Sequence, residues 1–467
     1  MEKRRLIHPY IPNSVPEIRE EMLQAVGAGD IEELYGEIPE SLRFRGKMDL
    51  PDPIISEYEL KRHLEDILEK NSSCKEFTSF LGAGCWQHYV PAVVDEIINR
   101  AEFVTAYCGD TYSDLGKFQA RFELYSMMGE LLNMEVVTEP AYDWGTTAGL
   151  SIRMASRITG RNEVLIASTV GPERLLQINN LCQPEIMDNH IAVRMVHYDK
   201  CTGMLDMEDL RSKISHHTAA IYFENPSYLG IIEAQGAEIS AIAKEYGALT
   251  IVGVDSISLG ILNPPGDYGA DIVCGENQSL GVHMLCGGSL AGFMSFRDEE
   301  LYVAECPLQL YSITENAEGK YAFVEVLAEK TSYGARDKGK DWVGTSSGLW
   351  TIAAAVYLAL MGPKGIQEIG ETIIQNASYA KLRLGEVSGV KVLFQHSFKE
   401  FVINFDGTNK TVEEINKKLE NFKIFGGKDL VKEFPELGNS ALYCVTEIHR
   451  KKDIDKLVDA LKEVLKA

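Results

Sequence analysis

The feature that most constrains the fold is an alternation, between about Phe77 and Phe296, of short β-rich runs with stretches of helical period. Because helices separate most of the β-rich runs, the strands are expected to run parallel and to be covered on both faces. The pattern therefore predicts an α/β fold with a mainly parallel sheet. The predicted strands are "NEVLIAST", "IAVRMVHYD", "TAAIYFENPS", "LTIVGVDSIS", "DIVCGEN" and "GSLAGFMSF".

Around this alternation the chain divides into three predicted segments. Residues 1–75 carry two short amphipathic helices, each preceded by a serine suited to cap it, and are predicted to form an arm that packs on another surface. Residues 76–340 form the large α/β domain. Residues 341–467 begin with a long apolar helix that should stop at Gly362-Pro363, and they continue as a smaller α+β domain with antiparallel strands.

Composition excludes several classes of protein. The 69 acidic side chains exceed the 46 basic ones, and a net charge of −23 repels nucleic acid and anionic membranes. Nine cysteines without a C-x-x-C pair favour reduced thiols in the cytoplasm over a disulfide or metal framework. The longest apolar run, "LWTIAAAVYLALMG", falls short of the ~20 residues that a bilayer requires. We therefore expect a soluble cytoplasmic protein without a metal.

Three positions in the large domain suit a pyridoxal-phosphate site. A Gly-Thr-Thr turn opens a helix in "YDWGTTAGL", where Thr146 and Thr147 can either receive a phosphate or simply cap the helix. Asn225 follows a buried strand at the carboxyl end of the sheet, although Asn-Pro is also an ordinary turn. Asp255 ends the next strand, where a carboxylate can pair with a pyridinium nitrogen or merely cap a turn.

The lysine that such a site requires is missing. No lysine occurs between Lys244 and Lys320, the stretch that contains the position one strand after Asp255. The chain therefore cannot bind an aldehyde cofactor covalently at the usual place. Covalent catalysis through a lysine amine needs another chain, needs another position, or does not take place.

Four long stretches carry a resemblance to a known family. They are "FLGAGCWQHYVPAVVDEIINRAEFVTAY", "VGVDSISLGILNPPGDYGADIVCGENQSLG", "AVYLALMGPKG" and "IFGGKDLVKEFPELGNSALYCVTE". They resemble the first subunit of the two-chain glycine dehydrogenase (decarboxylating), the P-protein of the glycine cleavage system, and the likeness runs over nearly the whole chain. The resemblance implies an aminotransferase-like large domain of fold type I and a place in a heterotetramer. It also implies that Gln278 stands where the partner subunit has its lysine.

The resemblance further implies an oxidoreductase that works only as a complex. Glycine would lose carbon dioxide on pyridoxal phosphate held by the lysine-bearing partner, and the aminomethyl group would pass to the lipoyl carrier, the H-protein. This chain would complete the walls of that site and exclude water. Thr146, Thr147, Asn225, Asp255 and Gln278 would then be remnants of a cofactor pocket. The residues expected to line the shared interface are His88, Tyr89, Tyr107, Tyr112, Trp144, Arg336, Lys338 and Lys340.

The chain departs from the family pattern at several of these places. Gly171 stands where a histidine is expected, and Trp144 and Trp342 are unexpected aromatic residues. This clustering favours the hypothesis of a divergent subunit that acts on a different amine. Two other hypotheses stay open: a non-catalytic scaffold, and a self-sufficient enzyme that uses Lys338 or Lys340. His88 is as well explained as a structural histidine as it is by an interface role.

Overall fold

The computed structural model describes residues 11–46, 48–104, 115–138, 140–184, 186, 189–284, 290–326, 336–341 and 346–466. They fall into two compact units, Met1–Ser72 and Ser73–Ala467. The division into an arm, a large domain and a small domain at residues 75 and 340 remains a prediction.

The first unit contains two α-helices, α1 Pro16–Ala25 and α2 Glu57–Leu68, and neither buries a residue. Ser56 accepts a hydrogen bond from the Glu59 N–H at 3.4 Å, so the predicted serine cap of α2 is confirmed. The predicted cap of α1 is wrong. Val15, which has no side-chain acceptor, is the N-cap, and the Ser14 hydroxyl donates to the Ile11 carbonyl at 2.8 Å.

The second unit contains the remaining helices and all the strands among the described residues. The helices are α3 Ala92–Ile98, α4 Leu115–Leu132, α5 Trp144–Thr159, α6 Pro172–Cys182, α7 Met207–Lys213, α8 Gly236–Glu245, α9 Glu300–Glu305, α10 Gly348–Gly385, α11 Val412–Leu419 and α12 Lys451–Lys466. The strands are β1 Thr78–Ser79, β2 Val136–Val137, β3 Glu163–Ala167, β4 Ala192–Val196, β5 Thr218–Glu224, β6 Leu249–Asp255, β7 Ile272–Glu276, β8 Gly292–Phe296, β9 Leu310–Glu315, β10 Tyr321–Val326, β11 Lys391–Leu393, β12 Glu400–Asn404, β13 Ile424–Phe425, β14 Lys428–Asp429 and β15 Ser440–Cys444.

The central sheet has seven strands in the order β2-β8-β7-β6-β5-β3-β4. The six predicted strands are β3 to β8, and β3 to β7 pair in parallel. The mainly parallel α/β fold is therefore confirmed. β8 runs antiparallel to β7, because the connection between them has no helical crossover among its described residues.

The apolar helix α10 breaks where the sequence predicts. Gly362 has φ 60° and ψ −179°, and a second helical stretch starts at Pro363 and runs to Gly385. Among the described residues, α10 alone is long and apolar enough to cross a bilayer by length and composition. Ile352 and Ile373, from its two halves, both lie in the hydrophobic core that includes the central sheet, as expected for a core helix of a globular domain.

The C-terminal part forms a second, antiparallel sheet of four strands in the order β11-β12-β15-β14. Its core combines strand residues such as Phe401 and Tyr443 with Ala380 from α10 and Leu457 from α12. Lys399, immediately before β12, is 3% exposed. This sheet therefore delivers a charged side chain to the interior of the second unit.

Candidate functional site

Three neighbouring strands of the central sheet each end in a carboxylate. Glu224 ends β5, Asp255 ends β6 and Glu276 ends β7, and each is at most 3% exposed. Because these strands are parallel, their carboxyl ends lie at one edge of the sheet, where ligands of α/β folds bind. Buried carboxylates are costly unless they are paired or protonated, so their partners define the site.

Asp255 is paired with a lysine from the C-terminal sheet. The Nζ atom of Lys399 lies 2.7 Å from Asp255 Oδ2, and the hydroxyl of Ser279 donates to Oδ1 at 3.0 Å. The same ammonium lies 3.4 Å from the centre of the Trp86 ring, close enough for a strong cation–π contact. An ammonium therefore lies against the carboxylate that would otherwise receive a pyridinium nitrogen.

A chain of polar groups continues from Lys399 to the protein surface. Lys399 Nζ lies 3.2 Å from His88 Nε2, and His88 Nδ1 lies 2.8 Å from Glu447 Oε2. Glu447 Oε1 accepts the backbone N–H of Tyr89 at 2.7 Å. Burial alone would raise the pKa of Glu447, but His88 and the Tyr89 N–H outweigh it and hold that pKa at about 2. His88 is therefore buried, with partners for both of its ring nitrogens. The neighbouring Tyr89 is 62% exposed.

Glu224 is neutralised by Arg174 of α6. The guanidinium donates to both carboxylate oxygens, at 2.5 and 2.7 Å, and lies 4.2 Å from the centre of the Trp144 ring. A Cβ atom on Gly171 would come within 2.8 Å of the Arg174 Cζ atom. The glycine that stands where a histidine was expected therefore leaves room for Arg174, and the buried Trp144 ring packs against the guanidinium.

The N-terminus of α5, the predicted phosphate site, is occupied by carboxylates. Asp143 is the N-cap and accepts the Thr146 N–H at 2.7 Å, while Glu276 accepts the Trp144 N–H at 3.3 Å. The expectation that Thr146 or Thr147 caps the helix is wrong: the Thr146 hydroxyl donates to Asp143, and that of Thr147 donates to a backbone carbonyl. A phosphate at this point would meet two acidic groups.

Burial and the charge of Asp143 raise the pKa of Glu276 to about 8, against three backbone N–H groups that favour the ionised form. Glu276 therefore carries its proton at neutral pH more often than an ordinary glutamate does. The proton relieves the repulsion between the two acidic groups at the start of α5.

Gln278 is buried with its amide fully used. Its Oε1 accepts the Trp86 N–H at 3.0 Å, and its Nε2 donates to the carbonyls of Trp86 and Val282, each at 3.0 Å. These bonds tie the turn after β7 to the segment that carries His88. Asn225 acts similarly on its own loop, because its Oδ1 accepts the Glu233 N–H at 3.1 Å.

The space left between these side chains is too small for a cofactor. The cavity has a volume of about 10 Å³, which is about what one water molecule needs. Its lining includes Trp86, Trp144, Arg174, Tyr228, Asp255 and Lys399. Pyridoxal phosphate does not fit here: the cavity holds about one water, Asp255 is already paired with Lys399, and Asp143 and Glu276 accept the N–H groups at the start of α5.

The two lysines proposed as catalytic alternatives, Lys338 and Lys340, lie away from this cavity. Lys340 pairs with Glu305 at 3.4 Å, beside Arg157 near the end of α5, and Lys338 is exposed in a short 3₁₀ turn. The start of α5, which borders the cavity, lies roughly 20 Å from Arg157 along the helix, at ~1.5 Å per residue. Tyr107, Tyr112 and Trp342 lie outside the described residues, as does the side chain of Arg336.

Sequence reasoning missed the charged groups that fill the site. Glu224 and Glu276 had the same signal as Asp255, a carboxylate at the end of a buried strand, in "YFEN" and "CGEN". Lys399 had no local signal, because it lies far from Asp255 along the chain and only the packing of the C-terminal sheet brings the two together.

The parallel sheet, with Asp255 at its carboxyl edge and an antiparallel C-terminal sheet, defines a class: the fold of pyridoxal-phosphate-dependent enzymes of fold type I. A sphingosine-1-phosphate lyase of Burkholderia pseudomallei has this fold, with a TM-score of 0.64 at 15% identity over 92% of this chain and 94% of that one. The crystal structure of an inhibitor-bound glycine decarboxylase (P-protein) matches with a TM-score of 0.84 at 30% identity, over 99% of this chain and 100% of that one.

The chain belongs to the glycine cleavage system P-protein family, whose family model matches residues 8–461. Among its relatives, a protein of Staphylothermus marinus is 37% identical over 98% of both chains. One from Pyrococcus horikoshii is 38% identical over 98% of this chain and 99% of its own. Both are named probable glycine dehydrogenase (decarboxylating) subunit 1, a name that implies a second subunit.

Proposed function

We propose that this chain is the lysine-free subunit of a two-chain glycine decarboxylase, catalytic only together with a lysine-bearing second subunit. The observation that carries the proposal is the filled cavity. Gln278, which by the family resemblance takes the place of the partner's lysine, has its amide fully bonded, and paired charges leave room for about one water. The pyridoxal phosphate of the complex is then held by the partner, where it withdraws the electrons that decarboxylation of glycine releases.

In this proposal the chain contributes walls to the partner's site. Tyr89 suits that role, because its side chain is exposed while Glu447 fixes its backbone N–H. A phenol held in this way can orient a small amino acid and keep water from it. The lipoyl arm of the H-protein would receive the aminomethyl group at the same site, in the cytoplasm.

The altered-amine hypothesis loses part of its support. Trp144 is 4% exposed and packs against Arg174, and the buried Gly171 leaves room for Arg174 that a Cβ atom would take. Their departures from the family pattern are therefore explained by the filling of this chain's own cavity. They do not require a different substrate.

The test is the exchange of labelled carbon dioxide with the carboxyl group of glycine, in the presence of H-protein. We expect neither chain alone to catalyse exchange, and the reconstituted pair to do so. Exchange with another amino acid but not with glycine would establish the divergent subunit. A stable complex inactive on all amino acids would establish the scaffold.

A matched pair of variants tests the role of Tyr89. Tyr89→Ala should lower exchange by the complex about tenfold or more, because misplacing a small substrate is costly. Tyr321→Ala, which removes a tyrosine that is 75% exposed from the β9–β10 hairpin, should leave exchange unchanged. Equal effects would show that Tyr89 does not line the site.

A further inference from the structure

The pairing of Lys399 with Asp255 is unusual because both groups lie in the interior. Each is 3% exposed, and their charged atoms are 2.7 Å apart. Taking two charges out of water is costly, and replacing a buried ion pair with well-packed apolar residues of similar volume is often neutral or stabilising. The ammonium is further held between the Trp86 ring at 3.4 Å and His88 Nε2 at 3.2 Å.

The Lys399 ammonium lies at the carboxyl edge of the central sheet. Asp255 ends the strand β6 at the carboxyl edge of the sheet, where fold type I enzymes bind their cofactor, and β7 next to it leads to Gln278. A chain that keeps Asp255 but holds no cofactor has a buried carboxylate without its cationic partner. Lys399 supplies a cation at that place from the same polypeptide.

We infer that Lys399 is an internal counterion for Asp255, in the place that the pyridinium of a bound cofactor would take. The carboxylate remains because the lysine neutralises it, and the lysine in turn requires the carboxylate. The inference concerns this chain alone and stands whether or not the proposed two-chain activity holds.

The first test is the stability of two variants of the whole chain in chemical denaturant. Lys399→Met leaves a buried carboxylate without a partner and should raise the unfolding equilibrium constant about a hundredfold or more. The double variant D255N/K399M is neutral at both positions and should recover most of that loss. Lys428→Met, which removes a half-buried lysine paired with Glu433 in the same C-terminal sheet, is the control and should have a much smaller effect.

The second test supplies the missing cation from solution. Lys399→Ala should be stabilised by n-butylammonium in the millimolar range more than by sodium at the same ionic strength, and the wild type should not distinguish the two salts. The inference is overturned if K399M is as stable as wild type, if D255N/K399M is as unstable as K399M, or if the alanine variant does not distinguish n-butylammonium from sodium. Because the double variant is neutral, it keeps the inference testable should the single variants fail to fold.

Discussion

The carboxyl edge of the central sheet and the N-terminal unit differ in how their side chains are accommodated: polar groups at the edge are paired, and apolar groups in the N-terminal unit are exposed. At the edge, Glu224, Asp255 and Gln278 all have partners within the chain. In the unit Met1–Ser72, α1 and α2 bury no residue. The exposed apolar side chains of α2 include Leu60, Leu64, Ile67 and Leu68.

The polar groups of the carboxyl edge are therefore satisfied within this chain, whereas α2 leaves apolar side chains exposed. At the edge, Arg174 pairs with Glu224, Lys399 pairs with Asp255, and burial raises the pKa of Glu276 to about 8. Contiguous apolar residues left on a surface ordinarily mark an interaction site. We therefore expect substitutions at the edge to act on stability, and those in α2 to act on association.

The largest effect is expected at Glu224. Arg174→Met leaves that carboxylate buried and unpaired and should cost about 3–5 kcal/mol in denaturant unfolding. Arg194→Met removes an arginine that is half exposed in its pair with Glu163, and should cost less than about 1 kcal/mol. Similar losses for the two variants would contradict the view that the edge is held by paired buried charges.

A lysine restored at position 278 should not restore a cofactor site. Gln278→Lys removes the acceptor of the Trp86 N–H and should cost about 1–3 kcal/mol, while Arg174 and Lys399 continue to fill the cavity. Gln367→Lys, on an exposed face of α10, is the control and should be nearly neutral. Absorbance titration with pyridoxal phosphate should show no specific site in either variant. A stoichiometric adduct at position 278 would show that the cavity is still open.

The titration of Glu276 should make stability fall as pH rises. Its pKa of about 8 in the folded protein exceeds the ordinary value of 4.5, so between these values the folded state holds a proton that the unfolded chain has released. The stabilisation is complete below pH 4.5 and lost above 8, with a slope of at most one proton. Glu276→Gln should remove this part of the pH dependence when unfolding is measured across that range. An unchanged dependence of stability on pH in the variant would show that Glu276 is not the group that titrates.

The smallest effect on stability is expected in α2. Leu64→Asp should change the stability of the isolated chain by less than about 0.5 kcal/mol, because Leu64 is exposed. The same change should weaken association with the second subunit by about tenfold or more in sedimentation or calorimetry. Arg62→Asp, on the same helix, should leave that affinity within about threefold. If both variants bind the partner like wild type, α2 is not the interaction surface.

The sequence allowed the sheet to be predicted because its strands are short apolar runs bounded by turns, a signal that local patterns carry well. It also placed Asp255 at the end of β6 and showed that position 278 has no lysine. The contents of the cavity could not be predicted. They depend on Lys399 and Glu447, which the C-terminal sheet brings to the edge across a long stretch of chain, and on Arg174, whose space depends on Gly171.

The most direct test of the central claim is borohydride reduction in the presence of pyridoxal phosphate, followed by peptide mass spectrometry. It should be done on this chain alone and on its complex with the second subunit. We predict a pyridoxyl-lysine in the partner and no specific modification of this chain in either sample. A stoichiometric adduct on a lysine of this chain, above all on Lys399, would contradict the account.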